Sequence, residues 1–323
     1  MRIADGVGVG GRSMQLDVLR GLAILLVLFR HPVVPPGAAG HLRPLLGWTE
    51  RFGWTGVDLF FVLSGFLIGG LLFAEIRDEG RLRLGRFLVR RALRIWPAYF
   101  AFLGFAVILS VEAHGGLWAG AKPLLPNLVH LQNYLGTPEI HTWSLAVEEH
   151  FYVVLPLVLL LLLRLNKLSW IPVLLLLVCF GCLGLRLANP NHSFSFETHL
   201  TPTHLRLDSL GFGVLLAYGH QFRPGVFSWV PRYRIPLLVV GIALLSPMLA
   251  IDIERRFVWT IGFTLTYLGY GCILIACLGA EHDVVGGALR SRTARLIAFV
   301  GFYSYSIYLW HVVVFRNLIH YSI

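Results

Sequence analysis

The stretch Thr142-Trp-Ser-Leu-Ala-Val-Glu-Glu-His-Phe-Tyr-Val-Val-Leu-Pro-Leu-Val-Leu-Leu-Leu-Leu-Leu163 decides the fold. Its second half is an almost unbroken apolar run. At about 1.5 Å rise per residue, a helix over 144–163 matches the roughly 30 Å hydrocarbon core of a bilayer. Glu148 stands about one turn inside its start. Ser144, Glu148 and Tyr152 recur every fourth residue and so share a helix face, while Glu149 and His150 point elsewhere.

Eight further segments have the same apolar length: 14–36, 54–76, 97–116, 168–187, 204–221, 235–251, 257–279 and 296–316. The stretch 121–135 is too short and too polar to add another. The expected fold is all-α, a polytopic transmembrane helix bundle of about nine spans. Composition agrees. Hydrophobic residues make up 56% of the 323 and charged residues 14%, with a mean hydropathy of +0.71. Ordinary soluble domains carry about a quarter charged residues, so disorder, collagen-like repeats, a coiled coil and a disulfide scaffold are excluded.

Lys and Arg number 27 against 17 Asp and Glu, a formal charge of +10. No basic run is interleaved with aromatics for base stacking, so nucleic acid is set aside. With the N-terminus in the cytoplasm, 17 basic residues fall in inner segments and 6 in outer ones. Cytoplasmic loops of membrane proteins carry that excess. An odd number of spans then puts the C-terminus outside. Residues 1–13, with Gly6-Val-Gly-Val-Gly-Gly11, read as a flexible cytoplasmic tail rather than a dinucleotide loop, since no strand precedes them. Residues 14–323 read as one membrane domain. Arg20, Arg30 and His31 interrupt the first apolar run, which argues for a retained helix over a cleaved signal. Cys179, Cys182, Cys272 and Cys277 lie in apolar runs and read as buried small hydrophobes. No metal site is expected, although the pair His199 and His204 leaves that reading open.

Ionisable groups inside spans are costly and mark function. Arg20 and His31 are eleven residues apart, which on a helix leaves them about 20° apart around the axis and roughly 16 Å apart along it. Asp17 precedes Arg20 by three residues and can pair with it. Asp58, in Gly53-Trp-Thr-Gly-Val-Asp-Leu-Phe-Phe-Val-Leu-Ser-Gly-Phe66, lies near the outer end of the second span, where it either caps the helix or serves the site. Ser64 lies deeper, beside Gly65, which permits close helix approach. Glu148 is placed to orient His31 or to neutralise Arg206. Arg206 and Asp208 are too close in sequence to face each other on one helix, so each is expected to pair across helices. His311 ends the aromatic run Tyr303-Ser-Tyr-Ser-Ile-Tyr-Leu-Trp-His311. Arg90, Arg91 and Arg94 belong to a basic stretch, 80–94, expected to lie on the inner membrane surface as an amphipathic helix, with Trp96-Pro97 turning the chain into the next span. The outer half thus collects His31, Asp58, Glu148, Arg206 and His311, and the inner half Arg20 and the arginines.

These strings resemble the acyltransferase 3 family of integral membrane acyltransferases. The resemblance rests on Leu16-Asp-Val-Leu-Arg20 with His31, Gly56-Val-Asp-Leu-Phe-Phe-Val-Leu-Ser-Gly-Phe-Leu-Ile68, Arg91-Ala-Leu-Arg94-Ile-Trp-Pro97, Trp143-Ser-Leu-Ala-Val-Glu148, Arg206-Leu-Asp208 and Ser304 to His311. It implies transfer of an acyl group, often acetyl, from cytoplasmic acyl-CoA to a hydroxyl of an extracytoplasmic or lipid-linked carbohydrate, in a plasma or inner membrane. Acyl-CoA is then a co-substrate, and no cofactor is bound permanently. It also implies roles for Arg20, His31, Arg91 and Arg94, and a ten-span pattern of which this sequence carries nine. In this reading His31, Glu148, Arg20 and Asp58 are catalytic, and Arg90, Arg91 and Arg94 bind CoA phosphates. Ser64, Ser144, Tyr152, Arg206, Asp208 and His311 bind substrate or support the site. Two other classes fit intramembrane charge: a glycan-lipid transporter or flippase, and an inactive relative acting as a scaffold. Matching halves with broken helices, which favour a transporter, are not seen.

Overall fold

The computed structural model describes residues 13–31, 47–191, 193–280 and 283–320. The expected N-terminal tail lies almost wholly outside them. The main helices are α1 (Met14–Arg30), α2 (Gly56–Glu79), α3 (Leu84–His114), α4 (Trp143–Arg164), α5 (Ile171–Leu187), α6 (Leu207–Phe222), α7 (Val230–Leu245), α8 (Phe263–Cys277), α9 (Arg292–Phe302) and α10 (Ser304–His320). Short helical turns connect them, and no strand occurs among the described residues.

Six helical runs are long and apolar enough to cross a membrane: Gly47–Glu79, Leu84–Glu112, Ile140–Arg164, Leu168–Leu187, Val230–Ala250 and Val258–Cys277. A bent pair, α9 with α10, makes a seventh if counted as one span. The expected count of nine is therefore not found as such, for three local reasons. Helix α1 has 17 residues and stops at Arg30, with His31 already non-helical at φ −122°, ψ 58°. His31 precedes Pro32, and the residue before a proline is pushed out of the α region. Helix α6 has only 16 residues. The expected span 296–316 is broken at Tyr303, where the two halves meet at 75°.

A second expectation is corrected at Pro97. The basic stretch and the following span form one continuous helix, α3, with Pro97 inside it and no turn at Trp96. A proline removes one backbone hydrogen bond, which a long apolar helix tolerates when its neighbours compensate.

The chain divides into two compact units. The first comprises 1–74 and 209–323, the second 75–208. In the first, α1 packs on α9 through glycines. A Cβ on Gly301 would collide with the Asp17 carbonyl, and one on Gly21 with the Ile297 carbonyl. Gly65 meets Leu210 and Gly213 meets Val62 in the same way, which locks α2 to α6. Small residues permit such close backbone contact between membrane helices. Gly65 thus does the packing that its sequence position suggested. Among the cysteines, Cys179, Cys182 and Cys277 are buried, Cys272 is half-buried, and all four are free thiols.

In the second unit, α3, α4 and α5 are tied together by polar loops. Tyr99 on α3 donates to the Asn127 carbonyl at 2.9 Å. Asn127 and Gln132 both donate to Thr142, at 2.9 and 3.0 Å. Asn133 donates to Thr203 at 2.8 Å, and Thr203 meets His150 Nδ1 at 2.7 Å.

Candidate functional site

In the first unit the candidate groups gather at the two ends of α1. Near its start, Arg20 pairs with Asp17 at 3.5 Å, one turn apart as the spacing suggested. Asp17 is buried and the arginine side chain is 27% exposed. At the other end, His31 is exposed just beyond the last turn. Its ring centroid lies 5.6 Å from that of His311, which α10 supplies. His311 is buried. Its Nδ1 lies 2.7 Å from the Tyr308 carbonyl, which only accepts, so Nδ1 carries the hydrogen and Nε2 is the acceptor nitrogen of the neutral ring. Tyr308 packs edge-on against Phe60 of α2.

Asp58 is fully buried and accepts from Ser209 Oγ at 3.1 Å. It therefore joins α2 to α6. Thr55 and Tyr270 share a 2.6 Å hydrogen bond in the same unit. Ser64 sits half-buried on α2, next to the Gly65 contact.

In the second unit, α3 and α4 bring together Arg91, Tyr152 and Glu148. The Arg91 guanidinium lies over the Tyr152 ring, 4.6 Å from its centroid. The Tyr152 hydroxyl donates to Glu148 Oε2 at 2.5 Å. The i, i+4 spacing of Glu148 and Tyr152 produces that bond directly. Arg90 and Arg94 are exposed on the same helix, so the three arginines are not equivalent. Ser144 is buried one turn before Glu148. Arg206 is fully buried, its guanidinium 5.9 Å from the centre of the Trp143 ring.

Asp208 is fully buried and pairs across helices with Arg186 of α5 at 2.6 Å. Arg186 also donates to the Leu205 carbonyl at 2.8 Å. The sequence reading expected such a pairing for Asp208 without naming its partner. A lone arginine in the apolar run 171–187 was the available signal. Glu149 lies off the face shared by Ser144, Glu148 and Tyr152. It is half-buried, and the Trp96 indole donates to it at 3.5 Å.

His199 and His204 are held separately. His199 bonds within its own loop, to Thr198 at 2.8 Å, and His204 Nδ1 meets the Tyr134 hydroxyl at 3.1 Å. His130 has a left-handed backbone, φ 55°, and stacks on Tyr99 with centroids 4.8 Å apart.

The chemistry available is specific. A pair of imidazoles supplies proton transfer or a nucleophile, and clustered arginines suit phosphate oxygens. The family description "Acyltransferase domain" matches residues 15–323. The chain belongs to the acyltransferase 3 family. The peptidoglycan O-acetyltransferase OatA of Listeria monocytogenes is 30% identical over 92% of this chain and 48% of its own length. The O-acetyltransferase OatA of Staphylococcus aureus is 27% identical over 94% of this chain and 51% of its own. A provisionally named O-acetyltransferase of S. aureus strain COL is 29% identical over 93% and 50%. The chain thus spans about half the length of the curated relatives it matches. No solved structure matches it.

Proposed function

We propose that this chain is an integral membrane O-acyltransferase that moves an acyl group, in the simplest case acetyl, from cytoplasmic acyl-CoA to a hydroxyl of an extracytoplasmic or lipid-linked carbohydrate. Family membership and the names of the relatives support this class. One geometric observation carries the chemistry: an exposed His31 faces a buried His311 whose tautomer is fixed by the Tyr308 carbonyl.

In this reading His31 takes the proton of the acceptor hydroxyl as its oxygen attacks the thioester carbonyl. The carbon–oxygen bond forms and the carbon–sulfur bond breaks. CoA leaves as a thiolate and regains a proton. In a two-step variant His31 itself is acylated first and passes the group on. Arg91 and Arg94, helped by Arg90, hold CoA phosphates, and Arg20 is a further catalytic group near the start of α1. Glu148 and Tyr152 position Arg91. Asp58, Ser64, Ser144, Arg206 and Asp208 hold the helices that carry these groups.

The same reading puts residues 14–323 in one multi-pass domain of the plasma or inner membrane, in contact with its lipids. The N-terminus is cytoplasmic and the C-terminus outside. Helices α1 and α6, together with the bent α9–α10 pair, complete a nine-span bundle.

The test is acetyl-CoA-dependent release of free CoA by the purified, reconstituted protein, with a carbohydrate acceptor supplied. Mass spectrometry of cell-surface glycans, with and without the protein, identifies the acceptor. Release that follows acceptor concentration supports the enzyme. Glycan-lipid movement with no CoA release points to a transporter, and neither activity points to a scaffold.

A further inference from the structure

Residues 117–140 are built inside out. Most of their inward side chains are polar: Asn127 is 0% exposed and Gln132 2%, and Asn133, His130 and Glu139 are buried as well, with Leu124 the apolar exception. Their outward side chains are apolar. Leu117, Trp118, Leu128, Val129, Leu135 and Ile140 each expose more than half of their surface. Lys122 is the one charged side chain exposed along the stretch, and a lysine head can reach away from an apolar layer on its long stem. A loop in water carries the opposite pattern, because exposed apolar patches and buried polar groups both cost free energy there. In hydrocarbon the preference reverses.

The backbone fits the same environment. Irregular chain survives at membrane depth only where protein satisfies its polar groups. Here the Asn127 carbonyl accepts from Tyr99 at 2.9 Å, and the Asn133 carbonyl from Thr201 at 2.9 Å. The Glu139 and Thr142 carbonyls accept from Thr142 Oγ1 at 2.8 Å and Gln132 at 3.0 Å. The amides of His130, Leu131, Tyr134, Leu135 and Gly136 all find carbonyls nearby in the chain. The stretch also connects α3 to α4, two of the helices long and apolar enough to cross a bilayer.

We infer that residues 117–140 are embedded in the bilayer without crossing it, their outward apolar face covered by lipid acyl chains. Helical turns of three to five residues are far below the roughly 20 needed to span. This inference goes beyond the proposed reaction and does not depend on it.

The test uses the full chain with its four cysteines replaced by alanine. A single cysteine is introduced as Leu128→Cys, Leu135→Cys or, at the exposed Glu197, Glu197→Cys. The protein is reconstituted in phosphatidylethanolamine–phosphatidylglycerol vesicles, with and without lipids spin-labelled on the acyl chain. A fluorophore at 128 or 135 should lose at least about half its emission to the spin labels, while one at 197 keeps most of it. A membrane-impermeant maleimide should label 128 and 135 at about a tenth of the rate at 197 or less. Labelling of all three at similar rates without quenching overturns the inference. Protection without quenching also overturns it, because protein rather than lipid then covers the face. Quenching of Trp118 in the unsubstituted protein, read as the part lost in Trp118→Phe, gives a second measurement free of introduced cysteines. Its absence counts against lipid contact.

Discussion

His31 and His311 face each other with ring centroids 5.6 Å apart, although nearly the whole chain separates them in sequence. His311 is the buried partner, fixed by the carbonyl one turn before it on α10. His31 is the exposed one, freed from helical geometry by Pro32. One ring is held and the other is presented, and the proposed roles of the two imidazoles rest on that difference.

His311→Ala is therefore expected to lower kcat for acyl transfer by about 100-fold, the lower end of what a positioned acid–base group contributes. KM for acyl-CoA should change little. A purely structural role would instead lower the amount of folded protein and leave the pH profile of the remainder intact. The profile of His311→Gln, which keeps a polar side chain, separates the two.

Arg91 stacks on Tyr152, and Tyr152 donates to Glu148. A lysine has neither the planar face nor the fork of a guanidinium. Arg91→Lys should raise KM for acyl-CoA about tenfold, in line with loss of a charge-assisted hydrogen bond. Tyr152→Phe keeps the ring under the guanidinium and loses only the bond to Glu148, so its effect should be smaller. Steady-state kinetics at varied acyl-CoA checks both.

Arg186 and Asp208 form a buried ion pair. Removing one partner leaves an uncompensated charge, so Asp208→Ala should destabilise the protein by about 3–5 kcal/mol. The double variant Arg186→Met with Asp208→Leu should recover most of that loss. Thermal denaturation in detergent micelles reads both. A double variant as unstable as the single one would show that the pair does more than neutralise itself.

Gly301 meets the Asp17 backbone where α9 crosses α1. Gly301→Ala should force the two helices apart and lower the yield of folded protein. Gly104→Ala in α3, where an added Cβ meets nothing within 4 Å, should be neutral. Equal yields for both would contradict the close packing.

Much of this was legible in the sequence, for reasons of length and spacing. An apolar run such as 151–163 fits the bilayer and little else. Asp17 with Arg20 and Glu148 with Tyr152 follow from helical neighbours. What the sequence could not reveal depends on packing. Arg186 finds Asp208, and His31 finds His311, only after helices distant in sequence come together. The bend at Tyr303 and the unbroken passage of the helix through Pro97 go against what local sequence preference suggests. The stretch 121–135 is no span, as its length and polarity suggested, but its average polarity hides that most of its polar side chains point inward and most of its apolar ones outward.

The most direct measurement compares His31→Ala with the unsubstituted protein, reconstituted at equal amounts in vesicles with acetyl-CoA and acceptor. The account predicts that transfer is abolished while the variant remains folded in the membrane and still binds acyl-CoA. Transfer at an undiminished rate would show that the reaction proceeds without this imidazole.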